Sequence, residues 1–366
     1  GGRPARRSTQ RDDPRLIDGR GRGVTLVGIR VRARTQALKR WKPWVQNALG
    51  LAILVATGWA LWKRRSAFAE LLDASWADLA IMGVLVLAAW LLSAAQTWVL
   101  YRSEGAQIGF AENVVLAACA NFANYLPMRL GTVLRGRYMK QMHGLRYARF
   151  GSIFGIRTVL LVSASGLLGA VGVLGLWFFE GRPALVLLIA FLAMGLGSAV
   201  ALLVPLPKFR SSDQRLPRIW NDFVDGFAMA RSRPRVSAIV LGLTLLQQLF
   251  LGVRLFVGFE AFQSAPSVWL VLLLAALVML VSFIAITPGG LGLREAAIGY
   301  VAFATGGDFS LGLFAGSLDR AVMLVLTLVL GTPSFVYVWR RLGSGGGHDG
   351  SPTESRTGSS SRASLR

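Results

Sequence analysis

Arg157, Arg254, Asp319 and Arg320 stand inside long apolar runs, and Arg294 and Glu295 stand where another such run ends in a cluster of glycines. On insertion scales a central Arg or Asp costs at least ~2.5–3.5 kcal/mol in a bilayer, so such groups face a cavity or a partner. Two chemistries fit these types. An arginine presents a planar donor fork that matches phosphate oxygens. Alternatively, Arg157 and Arg320 pair with Glu295 or Asp319 as structural salt bridges. Asp319 and Arg320 are neighbours, so on a helix they point ~100° apart and need separate partners. Arg254 lies six residues from the end of its run and is expected to extend to the membrane interface. Arg129 and Arg135 stand beside an earlier break and complete the candidate headgroup contacts.

The glycine cluster is ITPGGLGLREAAIGY, residues 286–300, and an echo of it is NYLPMRLGTVLRGRY, residues 124–138. Pro127, Leu130 and Gly131 match Pro288, Leu291 and Gly292 at a constant offset of 161. Each proline ends an apolar segment, and each is followed some thirty residues later by Arg157 or Arg320. Backbone released from helical hydrogen bonds at membrane depth survives only when buried in protein or lining a wet cavity. Gly289, Gly290 and Gly292 let the chain turn and let another group approach closely. A kink used for packing, or a loop at the membrane surface, would use the same residues.

The elements that must hold these groups are set by hydropathy. The chain has 366 residues, of which 54% are hydrophobic and 16% charged, and its mean hydropathy is +0.52. Apolar runs cover 44–62, 79–101, 151–179, 184–204, 236–259, 267–287 and 309–338, and a half-length run covers 113–126. Runs near twenty residues match the ~30 Å hydrocarbon core. The expected fold is an all-α polytopic membrane protein with about seven to eight transmembrane helices and two re-entrant broken-helix segments. The first run lies too far from the start, and is too long, for a cleavable signal peptide. Residues 1–43 carry thirteen Arg/Lys and read as a disordered basic arm. Residues 44–341 read as the membrane domain, and 342–366 as a disordered Ser/Gly-rich tail.

The net charge of +22 gathers in 1–43, 127–150, 205–235 and at Arg340 and Arg341. Flanking positives mark the cytoplasmic side and favour anionic lipid over nucleic acid. Both termini are therefore expected in the cytoplasm and the protein in the cell membrane. If both broken segments turn back, the halves 79–179 and 236–338 come out inverted, an arrangement that places a site near the midplane. Run 267–287 is long enough to cross instead. Cys119 is a lone thiol in an apolar segment, and the histidines are His143 and His348. With no nucleotide, metal or hydrolase motif, the reading gives no cofactor and no metal and finds no catalytic domain or motif.

On PGGLGLRE (288–295), LPMRLGTVLRGRYMKQ (126–141), SIFGIRTVLL (152–161) and LDRAVMLVL (318–326), the chain resembles the lysylphosphatidylglycerol synthase transmembrane-region, or flippase-like, family. The resemblance spans roughly 44–340. It implies a membrane domain that handles lipids, beside enzymes that aminoacylate or glycosylate them. Family members usually show Gly-Glu after the first proline turn, where this chain has Gly131 and Thr132, and no aminoacyl-transferase domain follows residue 340. The leading expectation is translocation of an anionic or polyprenyl-phosphate lipid held by Arg157, Arg320 and Arg294, with Glu295 and Asp319 balancing them. The alternative is an accessory or transferase subunit that presents a lipid carrier to a glycosyl- or aminoacyl-transferase.

Overall fold

The computed structural model describes residues 75–125, 130–204, 207–208, 231–284 and 292–344, with isolated positions at 15–17, 23–25, 221, 224–225 and 228. Run 44–62, Pro127, Arg129, Pro288, Gly289, Gly290 and the C-terminal tail from 345 lie outside the described residues. In the basic arm, β1 (Arg15–Ile17) pairs antiparallel with β2 (Gly23–Thr25), with Arg15 opposite Thr25. The remaining elements are helices.

Chain order from residue 76 is α1 (Trp76–Ser103), α2 (Phe110–Ala123), α3 (Leu130–His143), α4 (Tyr147–Glu180) and α5 (Leu185–Leu203). It continues with α6 (Pro234–Glu260), α7 (Val268–Ile284), α8 (Leu293–Ala304) and α9 (Phe309–Ser344). Among the described residues four helices are long and apolar enough to cross a membrane: 76–103, 149–180, 234–260 and 309–343. They correspond to four of the seven expected spans. Run 267–287 is described as far as Ile284, where it forms α7 over Val268–Ile284. Run 113–126 is the 14-residue α2. The basic stretch after the first proline is not an open loop: fourteen of its residues form α3.

Each half repeats one order: a long helix, two short helices, a long helix. Contacts between the halves exchange in the same way. α1 lies against α6, α2 of the first half against α9 of the second, and α7 of the second against α4 of the first. Small residues permit these approaches, as expected where lipid gives helices no hydrophobic drive to associate. A Cβ on Gly172 or Gly175 of α4 would strike the Leu273 backbone or the Trp269 ring of α7, and one on Gly331 of α9 would strike Phe122 of α2.

Apolar side chains also cover the outside. α5 exposes Leu185, Val186, Ile189, Leu192, Leu196 and Val200, a stripe at helical spacing, and α9 exposes Val325, Leu328 and Val329. Such surface is untenable in water but suits hydrocarbon. Cys119 is fully buried among α2 neighbours, as expected for a packing thiol.

Close approach gives a paired prediction. Gly172→Ala places a methyl 2.7 Å from the Leu273 amide nitrogen, so backbone must shift, at a cost of about 1–3 kcal/mol. Gly242→Ala on α6 meets nothing within 4 Å and gains helix propensity. Thermal melts in detergent should drop for the first and hold or rise for the second.

Candidate functional site

Five charged side chains meet between α6, α8 and α9. Asp319 on α9 is fully buried. Its Oδ1 accepts from Arg254 Nε at 2.7 Å and also from Arg254 Nη2, and its Oδ2 accepts from Arg294 Nη2. Arg320, one residue on, turns to other partners. Its Nε donates to Glu295 Oε1 at 2.9 Å and its Nη1 to the Tyr125 hydroxyl at 3.4 Å. The separate partners required by the 100° step are thus present.

Glu295 owes its position to the glycine break. Gly292 has φ 81°, a left-handed backbone that favours glycine, and it caps α8. Three residues on, Glu295 turns back so that its Oε2 accepts the Gly292 N–H at 2.8 Å, the carboxylate half of a capping box. One oxygen fixes the helix start and the other holds Arg320. Gly299 and Gly312 let α8 lie directly on α9, since a Cβ on Gly312 would fall 2.8 Å from the Gly299 Cα.

Arg254 therefore does not extend to the interface. Its side chain is 5% exposed and paired with Asp319, because α9 brings a carboxylate to the depth of α6 and removes any need to reach water. Three guanidiniums against two carboxylates leave one net positive charge, and Arg294 Nε has no hydrogen-bond partner among the described residues.

The second site is a cavity of about 130 Å³ between α1, α2, α3 and α4. Arg157 of α4 and Arg135 of α3 line it, with Ser93, Thr97, Tyr101, Asn121, Asn124 and Thr132. Arg157 Nη2 donates to Ser93 Oγ at 2.7 Å and Nε to Gln96 Oε1 at 3.4 Å. Gln96 is held in turn, its Nε2 donating to Gln247 Oε1 of α6 at 2.8 Å. Arg135 interacts with the Tyr101 hydroxyl. Among the described residues no carboxylate lines this cavity and Arg157 has no ion pair. Gly131 opens α3 here: a Cβ on it would lie 2.1 Å from the Ala120 carbonyl oxygen and 2.5 Å from Asn124 Oδ1.

His143 ends α3. Its Nε2 is 3.3 Å from Glu112 Oε1, which also accepts from the Tyr138 hydroxyl at 2.6 Å and from Arg341 Nη1 at 3.0 Å. This cluster ties α2 and α3 to the end of α9. Among the described residues no group of His, Cys, Asp and Glu could hold a metal ion.

The structure thus divides the candidate residues. Arg294, Glu295, Asp319 and Arg320 form one network with Arg254, and Gly292 supports it. Arg157, Arg135 and Gly131 belong to the cavity. Ser93, Gln96, Thr97 and Tyr101 were missed, although polar residues at 93, 96, 97 and 101 share one helical face of an apolar span. Asn121, Asn124 and Tyr125, at i, i+3 and i+4, share a face in the same way and were missed too.

These features define a polytopic helical membrane protein with buried arginine sites. The family model of the lysylphosphatidylglycerol synthase TM region matches residues 30–331, and the chain belongs to that family. No curated protein and no solved structure matches the chain.

The two sites should differ sharply in stability. Asp319→Asn strips Arg254 and Arg294 of their shared carboxylate and should cost about 3–5 kcal/mol, as removal of one partner from a buried pair does. Arg157→Gln removes a half-buried charge that has no ionic partner among the described residues, so its melt should match or exceed wild type. Thermal unfolding of the purified variants checks both.

Proposed function

We propose that the protein binds a phosphate-bearing anionic lipid at the Arg135–Arg157 cavity and moves its headgroup between leaflets. The observation that carries this reading is two arginines facing one cavity with no carboxylate in its lining among the described residues. An unpaired buried cation is costly, and an anionic ligand offsets that cost. Arg157 spends Nη2 and Nε on Ser93 and Gln96, which orients the guanidinium and leaves Nη1 for a ligand. The volume is near the roughly 150 Å³ of a cavity that holds one benzene ring. It admits a phosphoryl group and a few atoms more, with the acyl chains left in the bilayer.

Arg320 and Arg294 take a different part in this reading. Their acids already hold them, so the α6–α8–α9 network braces the second half, and Tyr125 joins that brace to the end of α2. The exchanged contacts of the halves support an inverted repeat, with α2–α3 and α7–α8 as re-entrant segments from opposite faces. The basic flanks support cytoplasmic termini. With no nucleotide motif in the sequence, movement is downhill or ion-coupled.

Arg157→Gln and Arg135→Gln should each weaken retention of an anionic phospholipid by native mass spectrometry about ten- to a hundredfold. That corresponds to one charge-assisted hydrogen bond of ~1.5–3 kcal/mol. Both should slow transbilayer movement in reconstituted vesicles while far-UV circular dichroism stays unchanged. Equal retention and equal transport by wild type and both variants would sink the proposal.

A further inference from the structure

The two groups that hold Arg157 stand in different places. Ser93, which accepts from Nη2 at 2.7 Å, is part of the cavity lining. Gln96, which accepts from Nε at 3.4 Å, is 1% exposed and stands behind that lining. An amide has an acceptor at one end and donors at the other, while a guanidinium has donors only. Only the carbonyl end of Gln96 can therefore face Arg157. Turned over, its NH₂ would meet the Nε–H, donor against donor. The two ends of an amide have nearly the same shape, so packing does not choose between them.

The choice is made from the second half of the chain. Gln247 of α6 accepts from Gln96 Nε2 with its Oε1 at 2.8 Å, which leaves the Gln96 carbonyl toward Arg157. The next residue, Gln248, is fully buried and donates from Nε2 to Ser165 Oγ of α4 at 2.9 Å. Neighbours on a helix diverge by ~100°, so α6 grips α1 with one glutamine and α4 with the other. Both of those helices wall the cavity. Charge gives the amide a second consequence. A carboxylate in the place of Gln96 would hold the guanidinium more strongly, as Asp319 holds Arg254 and Glu295 holds Arg320. It would also cancel the charge, which an amide leaves to a ligand.

We infer that Gln96 and Gln247 are positioning residues for Arg157. Gln96 aims the guanidinium without neutralising it, and Gln247 acts through Gln96 by fixing which end of its amide faces the arginine. The inference rests on the anion-binding reading above, and one set of variants separates the two. Purified full-length protein is incubated with equal amounts of phosphatidylethanol, an anionic diester, and phosphatidylcholine, and bound lipid is counted by native mass spectrometry. Gln96→Glu should cut the excess of phosphatidylethanol about ten- to a hundredfold, the scale of one charge-assisted hydrogen bond lost to the ligand. Gln96→Met and Gln247→Met should each cut it about two- to tenfold, the scale of one neutral hydrogen bond. The double variant should lose no more than Gln96→Met alone, because residues acting in series are not additive. Gln247 is half-buried, so its arm stands even if the Gln96 variants do not fold. Wild type that retains both lipids equally would overturn the anion site itself. A wild-type preference that survives Gln96→Glu would overturn the role of Gln96 and leave the anion site intact. Full retention by Gln247→Met, or losses that add in the double variant, would overturn the action of Gln247 through Gln96.

Discussion

Burying charge in a low-dielectric interior is the constraint on which the rest of this structure depends. Asp319 cannot stay ionised away from water unless guanidiniums reach it, and Arg254 and Arg294 reach it from two different helices. That requirement fixes how α6, α8 and α9 stand relative to one another. Glu295 sets the depth of α8, because one carboxylate must cap the helix at Gly292 and hold Arg320 together. Buried pairs of this kind gain little net stability against an apolar alternative, but they penalise any arrangement that separates them. Here they specify register more than they add strength.

The first half solves the same problem differently. Arg157 occupies the corresponding long helix but meets Ser93 and Gln96, which are neutral. Hydrogen bonds satisfy its donors without cancelling its charge. Arg135 stands nearby, its Nε without a partner among the described residues. One half therefore pairs its three arginines with two carboxylates, and the other lines a cavity with two arginines and, among the described residues, no carboxylate. Tyr125 bridges the two regions, adjacent to Asn124 in sequence and bonded to Arg320 in space.

Glycine makes both solutions geometrically available. Gly131 admits Asn124 and the end of α2 against the start of α3, and Gly299 with Gly312 admits α8 onto α9. Short helices α2, α3, α7 and α8 supply the polar ends that a continuous span would hide. Long helices α4, α6 and α9 carry Arg157, Arg254 and Arg320, and short α3 and α8 carry Arg135 and Arg294. The division of labour follows from membrane depth, where regular helix is the default and irregular backbone must be sheltered by protein.

The sequence by itself determined the solvent, four long apolar helices and the charges within them, because apolar length and the cost of buried charge are local properties. It also required Asp319 and Arg320 to seek different partners, since adjacent helical residues diverge. Which partners they found was decided only by tertiary structure. Arg254 was legible as an interfacial residue until α9 placed Asp319 beside it. Arg157 and Arg320 looked equivalent in the sequence, and only the neighbours brought from other helices separated them. The helix of the basic stretch, α3, was hidden because its mixed composition gives no clear apolar period. Partner choice depends on residues between 25 and 195 positions away, and no pattern along one chain segment encodes that distance.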